Sequence, residues 1–127
     1  MKYRKLGKTG ISISEVGFGC GNVGGIIIRQ PNQIRLQAVR RALESGINYF
    51  DTAPQYGQSQ SELNLGQLLK ELRASPFVAT KVRFKNEDLG NINKAINDSM
   101  NNSLKRLQRD YVDVLLLHNP VCAQRGA

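Results

Sequence analysis

Apolar positions along this chain follow two rhythms, one suited to strands and one to helices. Residues 3–14, YRKLGKTGISIS, alternate around Lys8-Thr9-Gly10 and predict a short hairpin. Residues 15–21, EVGFGCG, read as a first strand ending in glycines. Over residues 31–44 the stripe Leu36, Val39 and Leu43 predicts a helix, with Gly46 where its C-terminal cap belongs. Residues 47–52 are a compact run of β-formers and give a second strand. Leu65, Leu68, Leu69 and Leu72 mark a helix over 61–72, with Ser61 as its expected N-cap. Phe77–Val82 is a third strand. Ile92, Ile96, Met100, Leu104 and Leu107 predict a helix over 91–107, whose asparagines are poor helix formers, so that packing must hold it. Residues 112–117, VDVLLL, give a fourth strand, and residues 119–127 read as a loose tail.

Near-continuous apolar strands alternating with amphipathic helices indicate an α/β fold with a parallel sheet under helices. The chain of 127 residues suffices for a single domain with one core. Two architectures meet the pattern, a doubly wound sheet and a (β/α) barrel.

Composition narrows the function classes. Hydrophobic residues make up 40% and charged residues 22%, which is ordinary for a soluble globular protein. The opening Met1-Lys2-Tyr3-Arg4-Lys5 lacks the apolar stretch of a signal peptide, and the longest apolar runs are too short to cross a bilayer. A cytoplasmic protein is expected. Cys20 and Cys122 lie far apart without metal-type spacing, so two reduced thiols are expected rather than a disulfide framework or a zinc site. The net charge of +8 raises the question of nucleic acid. Its cations scatter over Lys2, Lys8, Arg35, Arg40, Lys105 and Arg109 without interleaved aromatics. That distribution reads as solvated helix faces with attraction for anionic ligands, and no nucleic-acid partner is expected.

One motif invites a different reading. Gly19-Cys20-Gly21-Asn22-Val23-Gly24 satisfies G-x-G-x-x-G after a strand, with Glu44 about 20 residues on. A dinucleotide fingerprint must open directly into a helix whose N-terminus meets the pyrophosphate. Here the β-branched GIIIRQP comes next, so the helix is expected later and the glycines are expected to shape a loop.

The chemistry gathers at strand ends. Asp51 ends the second strand, Lys81 the third and His118 the fourth, each the first ionisable group at the C-terminal end of its apolar run. In parallel α/β folds that end is the functional face. Tyr56 lies in the loop after Asp51. Taken singly, such residues cap turns, reach solvent or pack on loops. Together they are chemically complementary. A free tyrosine has a pKa of about 10, and about 4 kcal/mol of preference for the phenolate brings it near neutrality. One ammonium at ~4 Å supplies about that much at an effective dielectric near 20. Lys81 is the available ammonium, Asp51 would keep it charged and aimed, and His118 could hydrogen-bond the same substrate oxygen. Such a tyrosine suits protonation of a carbonyl oxygen while hydride arrives at the carbon. Use of the lysine as a Schiff-base nucleophile fits less well, because that mechanism needs a neutral amine and Asp51 favours the cation.

These residues resemble the aldo-keto reductases, NADP(H)-dependent enzymes on a (β/α)₈ barrel. YRKLGKTGISISEVGFGCGNVGG resembles the family's opening hairpin and first strand, and ALESGINYFDTAPQYG its most specific signature. SELNLGQLL, ATKV and RLQRDYVDVLLLHNP come after them in family order. The resemblance implies reduction of an aldehyde or ketone, with Tyr56 as general acid, Lys81 as the partner that tunes it, Asp51 as that lysine's partner and His118 as the substrate-orienting residue. It also implies a nicotinamide pocket lined by Gly19, Cys20, Gly21 and Asp51. The pattern amounts to a half barrel of the TIM type, the first four β/α units after a hairpin, where a full barrel takes about 250 residues. Open strands at both edges predict self-association or aggregation. The alternative function is a catalytically inactive, truncated relative that serves as a fragment or as a structural or regulatory partner, like the family's channel-associated members.

Overall fold

The computed structural model describes residues 1–121. Its first element is the expected hairpin, in which β1 (Tyr3–Lys5) pairs antiparallel with β2 (Ser12–Ser14). The Asn48 side chain ties the hairpin to the segment that enters the main sheet, accepting from the Ser14 N–H at 2.7 Å and donating to the Ser12 carbonyl at 3.0 Å.

The main sheet contains β3 (Phe18–Gly19), β4 (Tyr49–Asp51), β5 (Phe77–Val82) and β6 (Val114–Leu117), side by side in chain order and all parallel. A doubly wound sheet reverses its strand order at a switch point. No reversal occurs here, so the winding is that of a TIM-type (β/α) barrel, and its four strands make half of one.

Four helices accompany the sheet: α1 (Ile26–Arg29), α2 (Asn32–Glu44), α3 (Gln60–Glu71) and α4 (Ile92–Leu107). Phe50 and Val78 on the strands meet Val39, Leu65, Leu68 and Leu107 on the helices in one fully buried cluster. Each such side chain stabilises the fold by about 1.5–3 kcal/mol. Because side chains alternate along a strand, Phe50 on the helix side sends Tyr49 and Asp51 to the other face. Gly66 lets α3 close on the end of α4: a Cβ there would stand 2.5 Å from the Leu107 carbonyl oxygen.

Several expectations shift in position. The first strand is shorter than residues 15–21, because the Glu15 N–H donates to the Lys2 carbonyl and so belongs with the hairpin. The GIIIRQP segment is not extended; a single helical turn, α1, opens directly after Gly25. Ser61 is not a cap. The helix starts at Gln60, and the buried Ser61 hydroxyl donates to the Cys20 carbonyl at 2.9 Å and lies 2.8 Å from the Thr52 hydroxyl, bracing two strand tips against α3. Asn91 is the cap of α4, accepting from the Lys94 N–H at 3.1 Å. A 3₁₀ turn at Asn86–Gly90 fills the connection before it.

Asn119, expected to begin a loose tail, is instead pinned. Its side chain accepts from the Phe84 N–H at 2.7 Å and donates to the Phe84 carbonyl at 2.9 Å. Cys122 and the rest of the expected tail lie outside the described residues. At the far edge of the sheet Leu115, Leu116 and Leu117 stay 40%, 39% and 54% exposed, with no strand beyond β6 among the described residues. No helix among the described residues is long and apolar enough to cross a membrane.

Candidate active site

The parallel ladder sets Asp51 beside Ala79, so Lys81, two residues further along β5, rises on the same face just beyond the carboxylate. Its ammonium turns back and donates to Asp51 Oδ1 at 2.6 Å and to the Thr52 carbonyl at 2.9 Å. Lys81 is buried, only 8% exposed, and these two acceptors are what makes burial of a cation tolerable. Asp51 is open on its other side, with its side chain 36% exposed.

Tyr56 closes over this pair. The Lys81 ammonium lies 4.6 Å from the centre of the phenol ring, within cation–π range. His118 immediately follows β6, and its backbone N–H extends the ladder by donating to the Val82 carbonyl at 2.8 Å. Its imidazole meets the Tyr56 ring edge to face, with centroids 5.7 Å apart and planes at 86°. Asp51, Tyr56, Lys81 and His118 thus form one contiguous cluster at the C-terminal end of the sheet. Burial first, then the charges of Lys81 and Arg83, lower the His118 pKa below its ordinary 6.5, outweighing the opposite pull of Asp51. The imidazole is therefore neutral at pH 7.

A cleft of about 400 Å³ opens beside the cluster, lined by Gly19, Gly21, Asn22, Gly24, Asp51 and Tyr56. Cys20, expected on the same wall, turns the other way. Its thiol is 1% exposed within the helix-side core, and its backbone N–H donates to the Asp51 carbonyl. Burial, with the Asp51 charge adding to it, pushes that thiol well up, so it stays protonated and inert. Of the glycines, Gly21 lies flat against Tyr56: a Cβ there would touch the phenol ring at 3.6 Å.

Two residues next to the cluster escape the sequence reading. Gln55 Oε1 lies 2.9 Å from His118 Nδ1, which leaves Nε2 as the ring nitrogen free for another partner. Arg83 stands two residues past Lys81 and acts on the imidazole through its charge. A rule that stops at the first ionisable group of each strand end passes over both, and only the strand-tip position of Arg83 could have signalled it.

The comparisons with known proteins agree with the fold. The sequence profile described as the Aldo/keto reductase family matches residues 15–125. An L-galactose dehydrogenase of Arabidopsis thaliana is 39% identical over an alignment of 122 positions that covers 94% of this chain and 38% of that protein. The solved structure of an aldo-keto reductase from Bacillus halodurans in its holo form superposes with a TM-score of 0.76 at 35% identity, covering 95% of this chain and 41% of that one. An aldo-keto reductase from Klebsiella pneumoniae in complex with NADPH superposes at 0.72 with 27% identity, covering 89% and 38%. The chain therefore spans well under half the length of these relatives. A half barrel wound in strand order, a Tyr-Lys-Asp-His cluster at its strand tips and a profile that runs through all of them lead to one assignment: the chain belongs to the aldo/keto reductase family of oxidoreductases.

Proposed function

We propose that the chain carries the proton-transfer half of an NADP(H)-dependent carbonyl reductase, which converts an aldehyde or ketone to an alcohol. The observation that carries this reading is the Tyr56 ring held between the Lys81 ammonium at 4.6 Å and the His118 imidazole at 5.7 Å. The alternative, a catalytically inactive relative, predicts no turnover in the assay below.

Tyr56 donates its hydroxyl proton to the carbonyl oxygen as the carbon is reduced. The Lys81 ammonium offsets the negative charge left behind on the ring, and Asp51 and the Thr52 carbonyl keep that ammonium from swinging away. His118, neutral, donates to the substrate oxygen through Nε2–H in the tautomer whose Nδ1 accepts from the Gln55 side-chain amide turned to present its NH₂. A nicotinamide cofactor supplies the hydride when bound. The glycine wall of the cleft supports a flat ring there, because nothing stands within 4 Å of where side chains would project at Gly19 and Gly24. Gly19, Gly21 and Asp51 are the residues that would hold it. The preference for NADP(H) draws on the Klebsiella pneumoniae relative solved with NADPH.

The test is carbonyl-dependent oxidation of NADPH. Tyr56→Phe should lower turnover by about 10²–10⁴-fold, the range for removing a general acid, while NADPH binding followed by fluorescence persists. Turnover that survives the substitution removes Tyr56 from its role.

A further inference from the structure

A second cleft, of about 450 Å³, adjoins the cluster and is lined by Gln55, Arg83, Phe84, Lys85 and Asn86. Gln55 belongs to both regions, since the same side chain that walls this cleft bonds His118 Nδ1 at 2.9 Å. The cleft carries two cations and no carboxylate in its lining. Lys85 is paired with the exposed Glu87 at 3.3 Å, whereas Arg83 has no carboxylate partner among the described residues. Its floor is fixed, because Asn119 grips Phe84 by both its N–H and its carbonyl, holding the chain on either side of Phe84 in register with the end of β6. Arg83 shares the lining of this cleft with Gln55, so the cleft runs from the guanidinium to the side chain that holds the imidazole.

We propose that this cleft is a subsite for the anionic end of the substrate, and that the preferred carbonyl compounds carry a carboxylate, taken by the Arg83 guanidinium with Lys85 in support. A guanidinium presents paired N–H donors that match the two oxygens of a carboxylate. With the anion there, the rest of the substrate passes Gln55 and delivers its carbonyl to His118 and Tyr56. The proposal rests on the carbonyl-reductase reading for the identity of the reacting group, but the subsite can be tested without turnover.

His118 is the single histidine of the chain, so its ring signals in ¹H–¹⁵N NMR report on this site alone. We would titrate the full chain with 4-carboxybenzaldehyde and with its methyl ester, which differ by one charge. The acid should bind about five- to ten-fold more tightly, the worth of one charge contact in a solvent-exposed cleft. In Arg83→Gln, an exposed position whose substitution leaves the core untouched, the two probes should bind within about two-fold of each other. Equal binding of acid and ester to the native chain, a preference that survives in Arg83→Gln, or no shift of the His118 signals with either probe would overturn the subsite. Preferential binding of the acid with no NADPH oxidation would sink the carbonyl-reductase reading and leave the subsite standing.

Discussion

Two ion pairs in this molecule have the same length and opposite surroundings. Arg106 Nε lies 2.6 Å from Glu62 Oε2 between α4 and α3, and Lys81 Nζ lies 2.6 Å from Asp51 Oδ1 at the strand tips. Glu62 is completely buried, and its second oxygen accepts from the Thr80 hydroxyl at 2.6 Å, so both oxygens are engaged. Asp51 is about one-third exposed and opens on a cleft, and the cation it holds lies against a tyrosine ring. Distance alone does not separate them. A carboxylate sealed from water with both oxygens held by protein has little left to offer a ligand, and it locks elements together. A pair left open on one side keeps its field available for chemistry.

The sharpest way to break this comparison is to remove one cation from each. Arg106→Met strands a fully buried carboxylate and should cost about 3–5 kcal/mol of stability, a large part of what a small domain has. Lys81→Met leaves a carboxylate that water can reach, so its cost should stay within about 1–2 kcal/mol, while turnover falls by about 100-fold or more. Urea unfolding of both variants checks the order; equal losses would dissolve the distinction. Thr80→Val sharpens the comparison, because it removes one partner of Glu62 without changing side-chain shape, and should cost about 1–3 kcal/mol with no change at the strand tips. An unaltered His118 NMR signal in that variant would confirm that the two pairs are separate.

The smallest effect concerns pH. The His118 pKa is lowered in the folded chain, so the unfolded chain binds the extra proton more readily. Its contribution to stability is therefore full above the ordinary 6.5 and is lost as pH falls from there through the folded value. Lys81→Met removes one of the charges responsible and should raise the midpoint read from the single histidine's NMR titration. A midpoint that stays put would mean that the Lys81 charge plays no part in setting it.

Much of this was legible in the chain itself. Phe77–Val82 was recovered to the residue, and Gly46 closes α2 with its left-handed backbone at φ +86°, as its position after the apolar stripe required. Asp51, Lys81 and His118 could be found because each is the charge at which an apolar run stops, and a parallel sheet gathers such ends on one rim. The shift at residues 26–29 has a local cause. β-branched residues predict extended chain, but Ile27 is 1% exposed in the core, and packing overrides propensity in a single turn.

What the sequence determined by itself was periodicity and order, that is, which segments are strands, that they run parallel, and which charged groups sit at their ends. These come from spacing along the chain, which is local. The partners were decided only in three dimensions. Gln55 meets His118 across 63 residues, Arg106 meets Glu62 across 44, and the Cys20 thiol turns into the core rather than the cleft. A hydrogen bond is satisfied over about 3 Å and depends on where two distant backbones bring their side chains, information that no single stretch of residues contains.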